Sequence, residues 1–159
     1  MLTSILNMNG LLDLFGKTHP AVAHFPVALL LSALIAEILS WKFHKAGLHT
    51  AARFCLYIGT IGALVTTLTG FPFTQATFFN ARPPMLVKHQ LAAYMVVLLG
   101  ITTSSMTLIS RTHLLNNRFI YYLYILLLVI IAGLIIYTGH TGGVLVYGED
   151  FFMPPSSTE

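Results

Sequence analysis

Two histidines stand five residues apart at the mouth of a long apolar run, in His19-Pro20-Ala21-Val22-Ala23-His24-Phe25-Pro26, and two more, His89 and His140, fall beside other apolar runs. An imidazole at membrane depth is costly unless it is buried in a bundle, paired or bound to something, so an ionisable residue there marks a functional site by default. Four such rings can ligate haem or a transition-metal ion, or they can hydrogen-bond to backbone and water. If Pro20 takes the first position of a helix, where proline costs no hydrogen bond, His19 is the flanking cap residue and His24 lies one turn in. Five residues give a rise of about 7.5 Å and a net rotation of about 140°. The two rings therefore suit two sites, or one site and its surroundings, better than one ion. Pro26 deprives the Val22 carbonyl of its usual partner and can kink the helix, which would tilt His24 toward the bundle axis.

The elements that carry these rings are set by composition. Of 159 residues, 56% are hydrophobic and only 8% are charged, against about 25% charged in a soluble domain. Such a chain is solvated mainly by lipid, and its net charge of +3 is no argument for nucleic acid. A bilayer core about 30 Å thick needs roughly 20 apolar residues in a helix. Four segments qualify, at about 22–41, 52–71, 86–109 and 119–138, joined by polar connections. The expected architecture is an all-α integral membrane four-helix bundle. It comprises an interfacial amphipathic segment over 1–18, a four-span domain over 19–148 and a flexible tail over 149–159. The start lacks the basic residues of a cleaved secretion signal, with Lys17 following the apolar residues.

Lys42, Lys45, Arg53, Arg111 and Arg118 fall on one side of that map and Lys17, Arg82 and Lys88 on the other, so the positive-inside rule puts both termini on the periplasmic side. Antiparallel threading then brings His19, His24, His89 and His140 to one face, from three helices. His44, His49 and His113 fall in the opposite connections, where a solvated loop is the expectation. Gly142 and Gly143 directly follow the fourth span and suggest a helix C-cap, or bare backbone against which a cofactor edge lies. Gly59, Gly62, Ala63, Thr66, Thr67 and Gly70, with Gly100 and the Thr102 to Ser105 run, should let helices approach closely. Glu37, near the far end of the first span, reads as a snorkelling or Arg53-paired carboxylate in preference to a proton relay.

Several classes drop out. A single cysteine, Cys55, rules out an intrachain disulfide, CxxC zinc chemistry and covalent CxxCH haem attachment. No HExxH, phosphate loop or nucleophile with its base is present, so hydrolytic or transferase chemistry has no support.

His19-Pro20, His24-Phe25-Pro26, Glu37, Thr69-Gly70, His89 and His140-x-Gly142-Gly143-x-Leu145-Val146-Tyr147 resemble the bacterial four-helix membrane proteins grouped as DUF2231, over about His19 to Gly148. That resemblance implies the four-helix fold and a redox setting facing the periplasm, since some relatives are fused to or encoded with c-type cytochrome domains. Relatives often carry an acid soon after the Thr-Gly of the second helix, whereas here Phe71-Pro72-Phe73 follows.

The leading expectation is haem b, one or two, held by histidines on facing helices of a membrane electron-transfer protein or subunit. His24 and His89 are the expected inner ligands and His19 and His140 the outer ones, with Arg82 and Lys88 neutralising propionates. A c-type cytochrome or a larger redox complex is the expected partner. The alternatives are a non-haem zinc, copper or iron site on the same histidines, and an accessory subunit whose histidines only hydrogen-bond. Magnesium and calcium are disfavoured by the lack of carboxylates at that depth.

Overall fold

The computed structural model describes residues 8–74, 83–109 and 117–148. They form α1 (Met8–Lys17), α2 (His19–Phe43), α3 (Ala46–Thr74), α4 (Pro84–Ile109) and α5 (Arg118–Tyr147), and no strand occurs among the described residues. Four stretches are long and apolar enough to cross a membrane, Gly10–Phe43, Ala46–Pro72, Pro84–Ile109 and Arg118–Tyr147. The shortest has 26 residues, a rise of about 39 Å against a hydrocarbon core of about 30 Å. The expected all-α bundle of four spans is therefore the observed one. Its outer surface is apolar, with Ile61, Leu98, Leu126 and Ile136 all exposed, as a lipid-solvated face requires.

The helices are longer than their apolar runs, and the reasons are local. Thr18 keeps helical dihedrals (φ −75°, ψ −16°), so α1 runs almost directly into α2. At the far end of α2, His44 adopts a left-handed conformation (φ 54°) that reverses the chain, and only His44 and Lys45 separate α2 from α3. The polar stretch expected as a loop up to Thr50 is thus mostly the first turn of α3. Asn117 caps α5, its side-chain oxygen accepting from the backbone amides of Phe119 and Ile120. At its other end α5 continues through Gly142 and Gly143 to a cap at Gly148 (φ 90°). The expected C-cap at the glycine pair is therefore incorrect; both glycines are helical.

Packing runs α2 on α3, α3 on α4, α4 on α5 and α5 back on α2, which leaves α2 and α4 facing each other across a diagonal. The buried positions show an internal repeat. Pro26, Leu30, Ala33 and Glu37 line α2, and Val96, Gly100, Thr103 and Thr107 line α4, each 70 positions on, as from Pro26 to Val96. Ala52, Leu56, Gly59, Thr60, Ala63 and Thr69 of α3 likewise match Tyr124, Leu128, Ile131, Ala132, Ile135 and Thr141 of α5, each 72 positions on, as from Ala52 to Tyr124. Two similar hairpins, α2–α3 and α4–α5, thus build the bundle as parallel repeats. Close approach rests on small residues: a Cβ on Gly59 would meet Leu30 at 2.9 Å, and one on Gly100 would meet Thr60 Oγ1 at 2.8 Å.

Candidate functional site

The diagonal arrangement brings two of the four expected histidines together. His19 opens α2 and His89 lies in the second turn of α4, and their ring centroids are 6.5 Å apart at an interplanar angle of 79°. Each ring is anchored by the other helix of its own hairpin. His19 Nδ1 lies 2.9 Å from the Thr66 carbonyl and 3.2 Å from Thr69 Oγ1. His89 Nδ1 lies 3.1 Å from the Thr138 carbonyl and 3.1 Å from Thr141 Oγ1. The two threonine hydroxyls donate to backbone carbonyls, Thr69 to Thr66 and Thr141 to Thr138 and Tyr137.

That pattern decides the tautomer. A carbonyl only accepts, and each hydroxyl has spent its proton, so Nδ1 of both histidines must carry the hydrogen and donate. In the neutral rings the lone pair then sits on Nε2. A ring nitrogen held by a carbonyl while the other is presented as a base is the arrangement found around metal-binding histidines.

The glycines next to the threonines serve the rings. A Cβ on Gly70 would come within 3.1 Å of His19 Cε1, and a Cβ on Gly142 within 3.1 Å of His89 Cε1. Gly142 therefore gives an imidazole room to lie against helix backbone, in place of the expected cofactor edge. His19, Gly70, Phe71, His89, Ala93 and Tyr94 line a cavity of about 40 Å³, room for an ion or a few waters. The stacked rings of Phe71 and Tyr94, 6.3 Å apart, stand beside it.

The other expected site residues lie elsewhere. His24 is exposed, and its Nδ1 is 2.7 Å from the Pro20 carbonyl of its own helix. Pro26 does not turn it inward, because Pro26 itself fills the buried stripe and packs over Gly62. The expected inner pair of His24 and His89 is thus replaced by His19 and His89. His140 and Lys88 are exposed, Gly143 is half-buried, and Arg82 lies outside the described residues. No group of three or more His, Cys, Asp or Glu positioned for one metal ion occurs among the described residues.

A second polar cluster sits at the opposite end of the bundle. Glu37 is only 1% exposed, so it does not snorkel. Its two carboxylate oxygens each lie 2.8 Å from His49 Nδ1, and they accept from Tyr121 at 3.1 Å and Tyr124 at 3.4 Å. His49, expected in a solvated loop, is buried instead. Arg53, the expected partner of Glu37, donates to the Thr107 carbonyl at 3.0 Å, and Tyr57 shares a 3.0 Å hydrogen bond with the Thr107 hydroxyl. His113 lies outside the described residues. The signal for the Glu37–His49 pair was available: seven positions before and five after the same chain reversal put them at one height on antiparallel helices.

Four apolar spans with an anchored imidazole pair at one end of the bundle define a polytopic helical membrane protein. The chain belongs to the family DUF2231, described as predicted membrane protein, whose model matches residues 17–151. No curated protein and no solved structure matches it.

Proposed function

We propose that the protein is an electron-carrying membrane subunit whose metal centre is held by His19 and His89, with haem b as the leading form. The pairing of two anchored imidazoles, with no third His, Cys, Asp or Glu grouped with them among the described residues, carries this reading. Haem asks a protein for two axial donors only, whereas a zinc ion needs four. Two imidazoles that share one metal through bonds of roughly 2.0–2.1 Å must stand close together, and a centroid separation of 6.5 Å would leave room for an ion between these rings. In this reading Thr66, Thr69, Thr138 and Thr141 fix the tautomer and orientation of the ligands, and Gly70 and Gly142 let the rings seat. Haem so held supplies a one-electron couple tuned by its axial ligands and burial.

A second reading has an observation of its own. The cavity of about 40 Å³ suits a single ion and not a macrocycle, which would require Phe71 and Tyr94 to part. A cuprous ion, which accepts two nitrogen donors, is the form that cavity favours. His24 and His140 then take no part in either centre, and Lys88 and Arg82 are the cations available to propionates. The five-to-three bias of basic residues supports an inner-membrane orientation with the termini and the histidine pair on the periplasmic side. A c-type cytochrome or larger redox complex docking there is the partner class.

Optical and elemental analysis of the purified protein separates the readings. Haem gives a reduced-minus-oxidised absorbance change with iron; the cuprous site gives copper without such bands. A colourless protein free of both metals after expression with haem and copper supplied refutes the metal centre.

A further inference from the structure

We propose that the Glu37–His49 pair is a reversible proton-binding site, reached from the end of the bundle through His49. The proposal rests on that cluster alone and not on what the histidine pair at the other end binds.

The repeat supplies an internal control. Thr107 occupies the position of Glu37 in the second hairpin, and it closes that corner without a carboxylate, by a hydroxyl contact to Tyr57 and, through its carbonyl, a hydrogen bond from the Arg53 guanidinium. A helix contact at this depth therefore needs no carboxylate. Burying one is expensive, and a buried ion pair is often no more stabilising than apolar side chains of the same volume. At Glu37 the chain nevertheless provides a carboxyl group, an imidazole and two phenols.

The geometry serves both proton states. With Glu37 ionised, the neutral His49 ring donates from Nδ1, and Tyr121 and Tyr124 donate to the two oxygens. A proton arriving at Nε2, while the Nδ1 proton moves to the carboxylate, leaves a neutral acid and a neutral Nε2–H ring. One proton has been taken up, no heavy atom needs to move, and the same 2.8 Å contact now runs from the acid to Nδ1. His49 Nε2 has no hydrogen-bond partner among the described residues, so its lone pair is free to take that proton, and because the atom is buried a water from the end of the bundle must deliver the proton and then accept from the Nε2–H. It sits in the first turn of α3, close to where the chain reverses at His44 and Lys45. The titratable groups in contact with the pair are Tyr121 and Tyr124 from α5, while Arg53 and Tyr57 from α3 meet at the Thr107 position of α4 and Arg53 acts electrostatically on Tyr124.

Infrared difference spectra against pH, recorded on the full-length protein in lipid nanodiscs in H2O and D2O, test this. The wild type should gain one carboxylic C=O band on acidification, shifted in D2O, and Glu37→Gln should lose it with helicity unchanged. Glu37→Thr, which installs the residue the second hairpin tolerates, should lose the same band and covers the case in which the glutamine variant fails to fold. A wild-type protein with no Glu37-dependent band at any pH at which it stays folded has a fixed structural pair, and the proposal is overturned.

Discussion

The two ends of the bundle are built on the same repeat and treat it oppositely. At the histidine end the repeat is kept residue for residue: His19 with His89, Thr66 with Thr138, Thr69 with Thr141, Gly70 with Gly142. At the other end it is broken, Glu37 standing against Thr107, His49 against Tyr121 and Ala52 against Tyr124. Matched groups on either side of a diagonal suit one object gripped from both sides. An unmatched acid surrounded by donors suits a single charge, held in one hairpin and tied to the other. The contrast separates the residues that make the bundle from those that give each end its chemistry, because the buried positions between the ends recur in both hairpins whatever residue fills them.

The sharpest division should come from the histidines themselves. His19→Ala and His89→Ala should each abolish retention of the metal centre, while His24→Ala and His140→Ala leave metal content per protein unchanged. At the other end, Glu37→Ala strands His49 and two phenols and should cost on the order of 3 kcal/mol. The matched Thr107→Ala should cost about 1 kcal/mol, both read by chemical or thermal unfolding in detergent. If the two losses are equal, the asymmetry carries no energetic weight. Thr69→Val and Thr141→Val remove one of the two anchors on each Nδ1 and should weaken metal binding by roughly tenfold apiece. Equal effects support a symmetric grip, and Thr102→Val, an exposed residue whose hydroxyl bonds to the Leu98 carbonyl of its own helix, should do nothing. The smallest effect is expected at Gly139, where a Cβ meets nothing within 4 Å. Gly139→Ala should leave binding intact and raise stability by up to about 1 kcal/mol, whereas Gly142→Ala should displace the His89 ring and lower affinity.

The four spans were legible because length and apolarity alone demand them. The depth of His19, His24, His89 and His140 was legible too, since antiparallel threading fixes which helix ends share a face. Which rings point inward was not. That depends on the rotation of each helix about its axis, and α2 turns Pro26 and Leu30 inward while leaving His24 outside. The glycine pair of α5 was misread because glycine ends helices in water, whereas a membrane helix tolerates it. Glu37 and His49 were missed as a pair because a polar stretch after Trp41 suggested a long loop. A single left-handed residue, His44, makes the turn short enough to carry His49 back alongside Glu37. The repeat itself was readable in Thr66-x-x-Thr69-Gly70 and Thr138-x-x-Thr141-Gly142, each following a histidine by about fifty residues.

The spin state of the oxidised iron, recorded by electron paramagnetic resonance on the haem-loaded wild type and on His19→Ala and His89→Ala separately, asks whether both imidazoles bind one metal. A low-spin signal in the wild type that turns high-spin or disappears in each variant, and stays unchanged in His24→Ala, is the expected result. A low-spin signal that survives loss of either His19 or His89 would contradict it.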